Sequence, residues 1–136
     1  MSDNILQKTM SERAPAIVVG HCDFAAGIIS AVERITGRGN LFVPMSNAGL
    51  GADDIEQRLR DLVERHHPSV IFTDLGAGSC SIAACRLARE RDDLLVVTGT
   101  NLPTLLHYAT CPDGAPRDVV SRAVARGQAS IMLLPK

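Results

Sequence analysis

Two ionisable residues and one glycine loop stand where this chain can do chemistry. His21 follows the run Ala16-Ile17-Val18-Val19-Gly20 and precedes Cys22-Asp23-Phe24-Ala25-Ala26-Gly27. Asp74 follows Ser69-Val70-Ile71-Phe72-Thr73 and opens Leu75-Gly76-Ala77-Gly78-Ser79. An imidazole beside a carboxylate makes a nucleophile: the carboxylate accepts a hydrogen bond from one ring nitrogen, fixes the tautomer and leaves the other nitrogen free to attack. A glycine-containing loop that runs into a helix offers backbone N–H groups to an anion, so Gly76, Gly78 and Ser79 are candidates to hold a phosphoryl group. Histidine, aspartate and anion loop suit a phosphohistidine carrier. They also suit a hydrolase with Ser79 as nucleophile, although a helix N-cap is the commoner use of such a serine.

The remaining reactive residues point elsewhere. His21, Cys22, Asp23, Asp74 and Cys80 are chemically possible metal ligands, but their spacing matches no ligand set and an adjacent His-Cys pair rarely chelates one ion, so no metal is expected. The loop after Asp74 lacks the lysine of a Walker loop and is not GxGxxG, so no nucleotide cofactor is expected. His66 and His67, before Pro68, read as residues that match a helix C-terminal dipole. His107 reads as a surface or half-buried position in mid-helix, and Cys85 and Cys111 as structural. The four cysteines form no CxxC pair, which favours reduced thiols in the cytoplasm. Cys22 and Cys80 flank one crevice from two loops, where oxidation is conceivable but not expected.

The elements that would position these groups alternate in type. Residues 1–13 are polar without a convincing period and read as a flexible leader, leaving 14–136 as one domain. A strand over Ala16–Gly20 leads into a helix with Asp23 as N-cap and Phe24, Ile28, Val32 and Ile35 on one face. Leu41–Met45 is a second strand, and Pro44 places it at a sheet edge because proline cannot donate to a ladder. A helix with Ile55, Leu59, Leu62 and Val63 on one face ends at His66–Pro68. Strand Ser69–Thr73, a helix from Ser79 to about Arg91, strand Leu94–Gly99, a short helix to about Ala109 and a helix over Arg117–Gly127 follow. Ala129–Leu134 is a last strand. Strands alternating with helices predict a doubly wound, mainly parallel α/β sheet with helices on both faces. With the second strand at an edge, the switch point falls between the first and third strands, where such sheets bind ligands. His21 and Asp74 end those two strands.

Bulk properties remove several functions. A net charge of −1 gives no electrostatic case for nucleic acid. Aromatic residues make up 3% and tryptophan is absent, so stacking on bases or sugars has little to work with. No apolar run nears the ~20 residues that span a bilayer, and no signal-peptide core precedes the first strand.

Three segments together resemble a known family, the enzyme IIA domain of the mannose/fructose/sorbose class of the bacterial phosphoenolpyruvate-dependent sugar phosphotransferase system. Gly20-His21-Cys22-Asp23-Phe24-Ala25-Ala26-Gly27 resembles that family's GHGxFAxG, Asp74–Ser79 its DxxGGSP, and Gly99-Thr100-Asn101-Leu102-Pro103-Thr104-Leu105 its GxNLPML. The similarity runs from about Ala16 to Leu134. It implies a cytoplasmic phosphocarrier: His21 accepts a phosphoryl group from HPr, paired with Asp74, and passes it to a IIB domain for sugar uptake, with the membrane engaged only through the transporter complex. It also implies a homodimer whose last strand is added antiparallel to the partner's sheet; the residues alone would equally allow pairing within one subunit. Other readings are a regulatory module that senses phosphorylation of His21, or a dihydroxyacetone-kinase phosphocarrier subunit. Three departures from the pattern lie in or beside the crevice: Cys22 for glycine, Cys80 for proline and Ile82 for asparagine.

Overall fold

The computed structural model describes residues 13–135, so most of the expected leader lies outside the described residues. Four parallel strands, β1 (Ala16–Gly20), β2 (Phe42–Ser46), β3 (Val70–Thr73) and β4 (Leu95–Val97), form a sheet in the order β2-β1-β3-β4. Helices α1 (Phe24–Thr36), α2 (Ala52–His66), α3 (Ser79–Arg89), α4 (Leu102–Thr110) and α5 (Pro116–Ala129) complete the fold, with a 3₁₀ turn at Gly39–Leu41 before β2. This is the doubly wound α/β architecture that the alternation of elements predicts. Val18 aligns with Pro44 on one side and Phe72 on the other, which puts the proline strand at the edge and the switch point between β1 and β3.

β1 is buried along its whole length, and its side chains alternate between two cores. Ala16 and Val18 pack with Val70, Phe72, Leu105, Tyr108 and Val120 on one face, and Ile17 and Val19 with Ile55, Leu59, Val63, Ile71 and Leu87 on the other. Burying each such aliphatic chain contributes ~1.5–3 kcal/mol. Phe42, Phe72 and Tyr108 form an aromatic cluster with centroids 5.3 to 6.3 Å apart, and burial pushes the Tyr108 phenol up to about 12. Arg13, at the boundary of the expected leader, is held against this cluster: its guanidinium donates to the carbonyls of Tyr108 and Cys111 and lies 5.2 Å from the Tyr108 ring centroid.

Several expectations shift in detail. Ile35 is 61% exposed, so the apolar stripe of α1 leaves the core over its last turn. The N-cap of α2 is Gly51, with Asp53 and Asp54 inside the first turn, where their charge suits the dipole. α5 runs past Gly127 to Ala129. Gly127 does not stop the helix; it admits α4. A Cβ there would collide with Thr104, while Asn101 Nδ2 donates to its carbonyl at 2.9 Å. The same Asn101 caps α4, accepting from Thr104 N at 3.1 Å, a contact worth ~1 kcal/mol.

The largest departure concerns the last segment. Ala129 ends α5, and the described residues beyond it pair with no strand of their own chain. Ile131, Met132, Leu133 and Leu134 are exposed by 79, 59, 89 and 65%. An apolar segment gains its strand conformation only from a ladder partner, and this sheet supplies none to it. Among the described residues, no helix is long and apolar enough to cross a membrane.

Candidate active site

The chain beyond β1 turns sharply at His21-Cys22-Asp23 before α1. Asn47 N donates to the Gly20 carbonyl at 3.0 Å and Asn47 Oδ1 accepts from Cys22 N at 3.3 Å, tying this turn to the loop after β2. Cys22 adopts φ 48°, a left-handed conformation that costs an L-residue ~1–2 kcal/mol. That cost explains why glycine stands here in the sequence pattern that the segment resembles. Asp23 occupies the N-cap position of α1, but its side chain makes no capping bond.

His21 and Asp74 meet. The His21 ring Nδ1 lies 2.8 Å from Asp74 Oδ2, and the His21 backbone N–H donates to the same oxygen at 2.8 Å. The imidazole is half exposed, while the carboxylate side chain retains only 10% of its exposure. Burial by itself would raise the Asp74 pKa; the two hydrogen bonds and the charge of His21 outweigh it and hold the carboxyl below its ordinary value. With Nδ1–H given to Asp74, the Nε2 lone pair of His21 is available to an electrophile. Oδ1 of Asp74 is buried without a hydrogen-bond partner, so Oδ2 alone anchors the pair.

Residues beyond the sequence reading hold Asp74 in place. The hydroxyls of Thr73 and Ser81 sit 2.9 Å apart and both reach the Leu75 carbonyl, bracing the loop after β3 against the first turn of α3. Gly20 is required by proximity: a Cβ there would lie 2.9 Å from both Cγ and Oδ2 of Asp74. Thr73 and Ser81 carried a signal, since each is a hydroxyl at the edge of an otherwise apolar element. Gly20 carried only that of any turn glycine.

Gly76 and Gly78 lie exposed on the loop, and Gly78 adopts φ 119° with ψ 172°, a conformation essentially reserved for glycine. It takes the N-cap position of α3, which corrects the expectation that Ser79 would cap it: Ser79 is the first helical residue, because only glycine allows the backbone to turn so sharply one position earlier. The first intrahelical bond runs from Ile82 N to Gly78 O at 3.0 Å. The N–H groups of the first turn therefore have no helical acceptor, and they lie directly after the loop that carries Asp74.

The other candidates are dispersed. His66 ends α2 and His67 is its left-handed C-cap with φ 50°. His107 lies half buried on α4, where burial and then Arg126 and Arg122 lower its pKa. Among the described residues, no three His, Cys, Asp or Glu side chains gather as a metal site. All four cysteines are free; Cys22 is exposed and Cys80 is buried, its thiol pushed up by burial and then by the charge of Asp74. A thiol so placed is a poor nucleophile.

The family model described as PTS system fructose IIA component matches residues 16–122. No curated protein matches the chain. Among solved structures, the mannose/sorbose-specific IIA subunit of the phosphotransferase system from Enterococcus faecalis is similar with TM-score 0.79 at 18% identity, covering 91% of this chain and 96% of that one. The phosphotransferase system component EIIA from Streptococcus agalactiae is similar with TM-score 0.79 at 25% identity, covering 87% and 95%. The PTS IIA protein associated with the fucose utilization operon of Streptococcus pneumoniae gives 0.75 at 20%, covering 90% and 93%. The family match takes in both strand ends that meet at the switch point, and on it the chain belongs to the mannose/fructose-class IIA family, as a component of sugar phosphotransfer.

Proposed function

We propose that the protein is a phosphohistidine carrier in which His21 accepts a phosphoryl group from HPr and passes it to a IIB domain during sugar uptake in the cytoplasm. The observation that carries this reading is the 2.8 Å contact between His21 Nδ1 and Asp74 Oδ2 at the switch point. In the transfer, the Nε2 lone pair bonds to phosphorus as the donor's bond to phosphorus breaks. The Nδ1 proton stays on the ring and donates to the Asp74 carboxylate throughout, so the imidazole that gains a phosphoryl group keeps its counter-charge. The N–H groups around Gly76, Gly78 and Ser79 are the candidates to receive the transferring oxygens. Return to a IIB nucleophile is the same step reversed, and no proton needs to leave the site.

The exposed segment from Ile131 to Leu134 supports a homodimer in which this segment adds to the partner's sheet, covering apolar surface that a lone chain would leave in water. The decisive experiment is incubation with phosphoenolpyruvate, enzyme I and HPr, followed by mapping of acid-labile phosphate. Label is expected on His21 and lost in His21→Ala, but kept when His66, His67 or His107 is replaced. Full labelling of His21→Ala would overturn the reading.

A further inference from the structure

A cavity of about 130 Å³ lies at the end of the sheet opposite the histidine, with Arg13, Ser69, Tyr108, Asp113, Pro116 and Val119 in its lining. Arg13 and Ser69 stand before β1 and β3, whose far ends lead into His21 and Asp74, so the two sites do not overlap. The Arg13 side chain keeps only 6% of its exposure. Its Nη1 and Nη2 donate to the carbonyls of Tyr108 and Cys111, which pins the guanidinium in place. Nε remains: it is buried and has no hydrogen-bond partner. The carboxylate oxygen beside it, Asp113 Oδ1, is 3.7 Å away, too far for a hydrogen bond, and already accepts from Gly114 N at 3.0 Å. A buried N–H of a charged group is costly to leave unpaired. An acceptor brought into the cavity by a ligand removes that cost.

The lining limits what that ligand can be. Its charged residues are Arg13 and Asp113, one of each sign, so a lone anion that meets Arg13 also meets the repulsion of Asp113. A ligand that carries both signs satisfies both residues. Its charges must stand about as close together as their partners, which are 3.7 Å apart; an ammonium and a carboxylate on one carbon have that kind of spacing. Pro116 starts α5 here and no side chain caps that helix, so its dipole adds to the pull on the carboxylate. Tyr108 and Val119 supply an apolar wall. The volume approaches the ~150 Å³ that admits benzene in an engineered cavity, which suits about six or seven non-hydrogen atoms. We propose that this cavity binds a small α-amino acid, its carboxylate accepting from Arg13 Nε, its ammonium donating to Asp113 and a short aliphatic side chain lying against Tyr108 and Val119. The assignment is independent of the carrier reading, since it uses no residue of the His21 site.

The test titrates the full chain by calorimetry with α-aminobutyrate and three comparators. γ-Aminobutyrate has the same atoms with its charges moved apart, butyrate lacks the ammonium, and propylamine lacks the carboxylate. The expected result is saturable one-to-one binding of α-aminobutyrate, with each comparator weaker by about tenfold or more. Asp113→Asn should weaken α-aminobutyrate by about tenfold and abolish its advantage over butyrate. Arg13→Lys, which keeps the charge but loses the Nε donor, should weaken α-aminobutyrate and butyrate alike. The Asp113 side chain is 39% exposed, so Asp113→Asn decides the matter even where thermal melts show that Arg13→Lys does not fold. Butyrate or γ-aminobutyrate binding as tightly as α-aminobutyrate overturns the proposal, as does an α-aminobutyrate affinity unchanged in Asp113→Asn. Absence of saturable binding by all four leaves the cavity to water and overturns it as well.

Discussion

Replacing Gly20 by alanine should disarm the site without touching either ionisable residue. The new Cβ would lie 2.9 Å from Asp74 Cγ and Oδ2 and 2.7 Å from Phe24 Cδ1, against ordinary contacts that begin at 3.4 Å. To recover that distance the carboxylate must retreat by about 0.5 Å, the difference between 2.9 and 3.4 Å. Both of its bonds to His21 are 2.8 Å long, so a retreat of that size carries them past the ~3.2 Å at which N–H···O bonds fade. Hydrogen bonds to charged groups contribute ~1.5–3 kcal/mol each. Losing about half of the two together removes ~2 kcal/mol, or roughly 30-fold in rate at ~1.36 kcal/mol per factor of ten. The assay is the initial rate of His21 labelling by phosphorylated HPr, with circular dichroism as a check on folding. Gly20→Ala combined with Asp74→Asn should be no slower than the slower single variant, since both act through one contact. A folded Gly20→Ala protein that labels within threefold of the unaltered rate would refute the argument.

Asp74→Asn should slow labelling by ~10²–10⁴ while keeping the fold, read by the same assay. Because the folded pKa of Asp74 is lowered, its contribution to stability is fully present above the ordinary carboxylate value near 4 and is lost as pH falls through the lowered one. The stability gap between the unaltered protein and Asp74→Asn should therefore close in acid, as urea titrations at several pH values will show. Cys22→Gly should raise stability by ~0.5–1 kcal/mol, because it relieves a left-handed residue at some cost in backbone entropy, and a lower melting temperature would contradict that. Removing residues from Ser130 onward should leave monomer or aggregate in sedimentation; a stable soluble dimer would dismiss the segment as the clasp.

The sheet order was legible from a single proline. Pro44 forces β2 to an edge, and with β2 at the edge the crevice falls between β1 and β3, where His21 and Asp74 are found. The sequence could not reveal how close they come, since contact depends on Gly20 lacking a side chain and on Thr73 and Ser81 bracing a loop across eight positions. Glycines misled in two places for one reason. Gly127 looks like a helix stop and Ser79 like a cap, yet Gly127 sits within α5 to admit α4, and Gly78 makes the turn that a serine cannot. A glycine's use is set by what approaches it, and that is tertiary information. The last segment was read correctly as apolar, but a strand is a relation between two chain segments and no single segment defines one.

The burial of β1 on both faces governs how the molecule comes apart. Ile17 and Val19 serve one core and Ala16 and Val18 the other, with no exposure at any of the four. Neither layer of helices can be released while the other keeps its footing, because the strand between them would be stripped on one side. Unfolding should therefore proceed as a single cooperative event rather than layer by layer. The two walls of the crevice then differ in lifetime. His21 follows a strand that is released only with the whole fold, whereas Asp74 stands on a loop open to local fluctuation. Transient loss of the pair is an event of the β3–α3 loop, and amide exchange in that loop, rather than global stability, will measure how often the histidine stands unsupported.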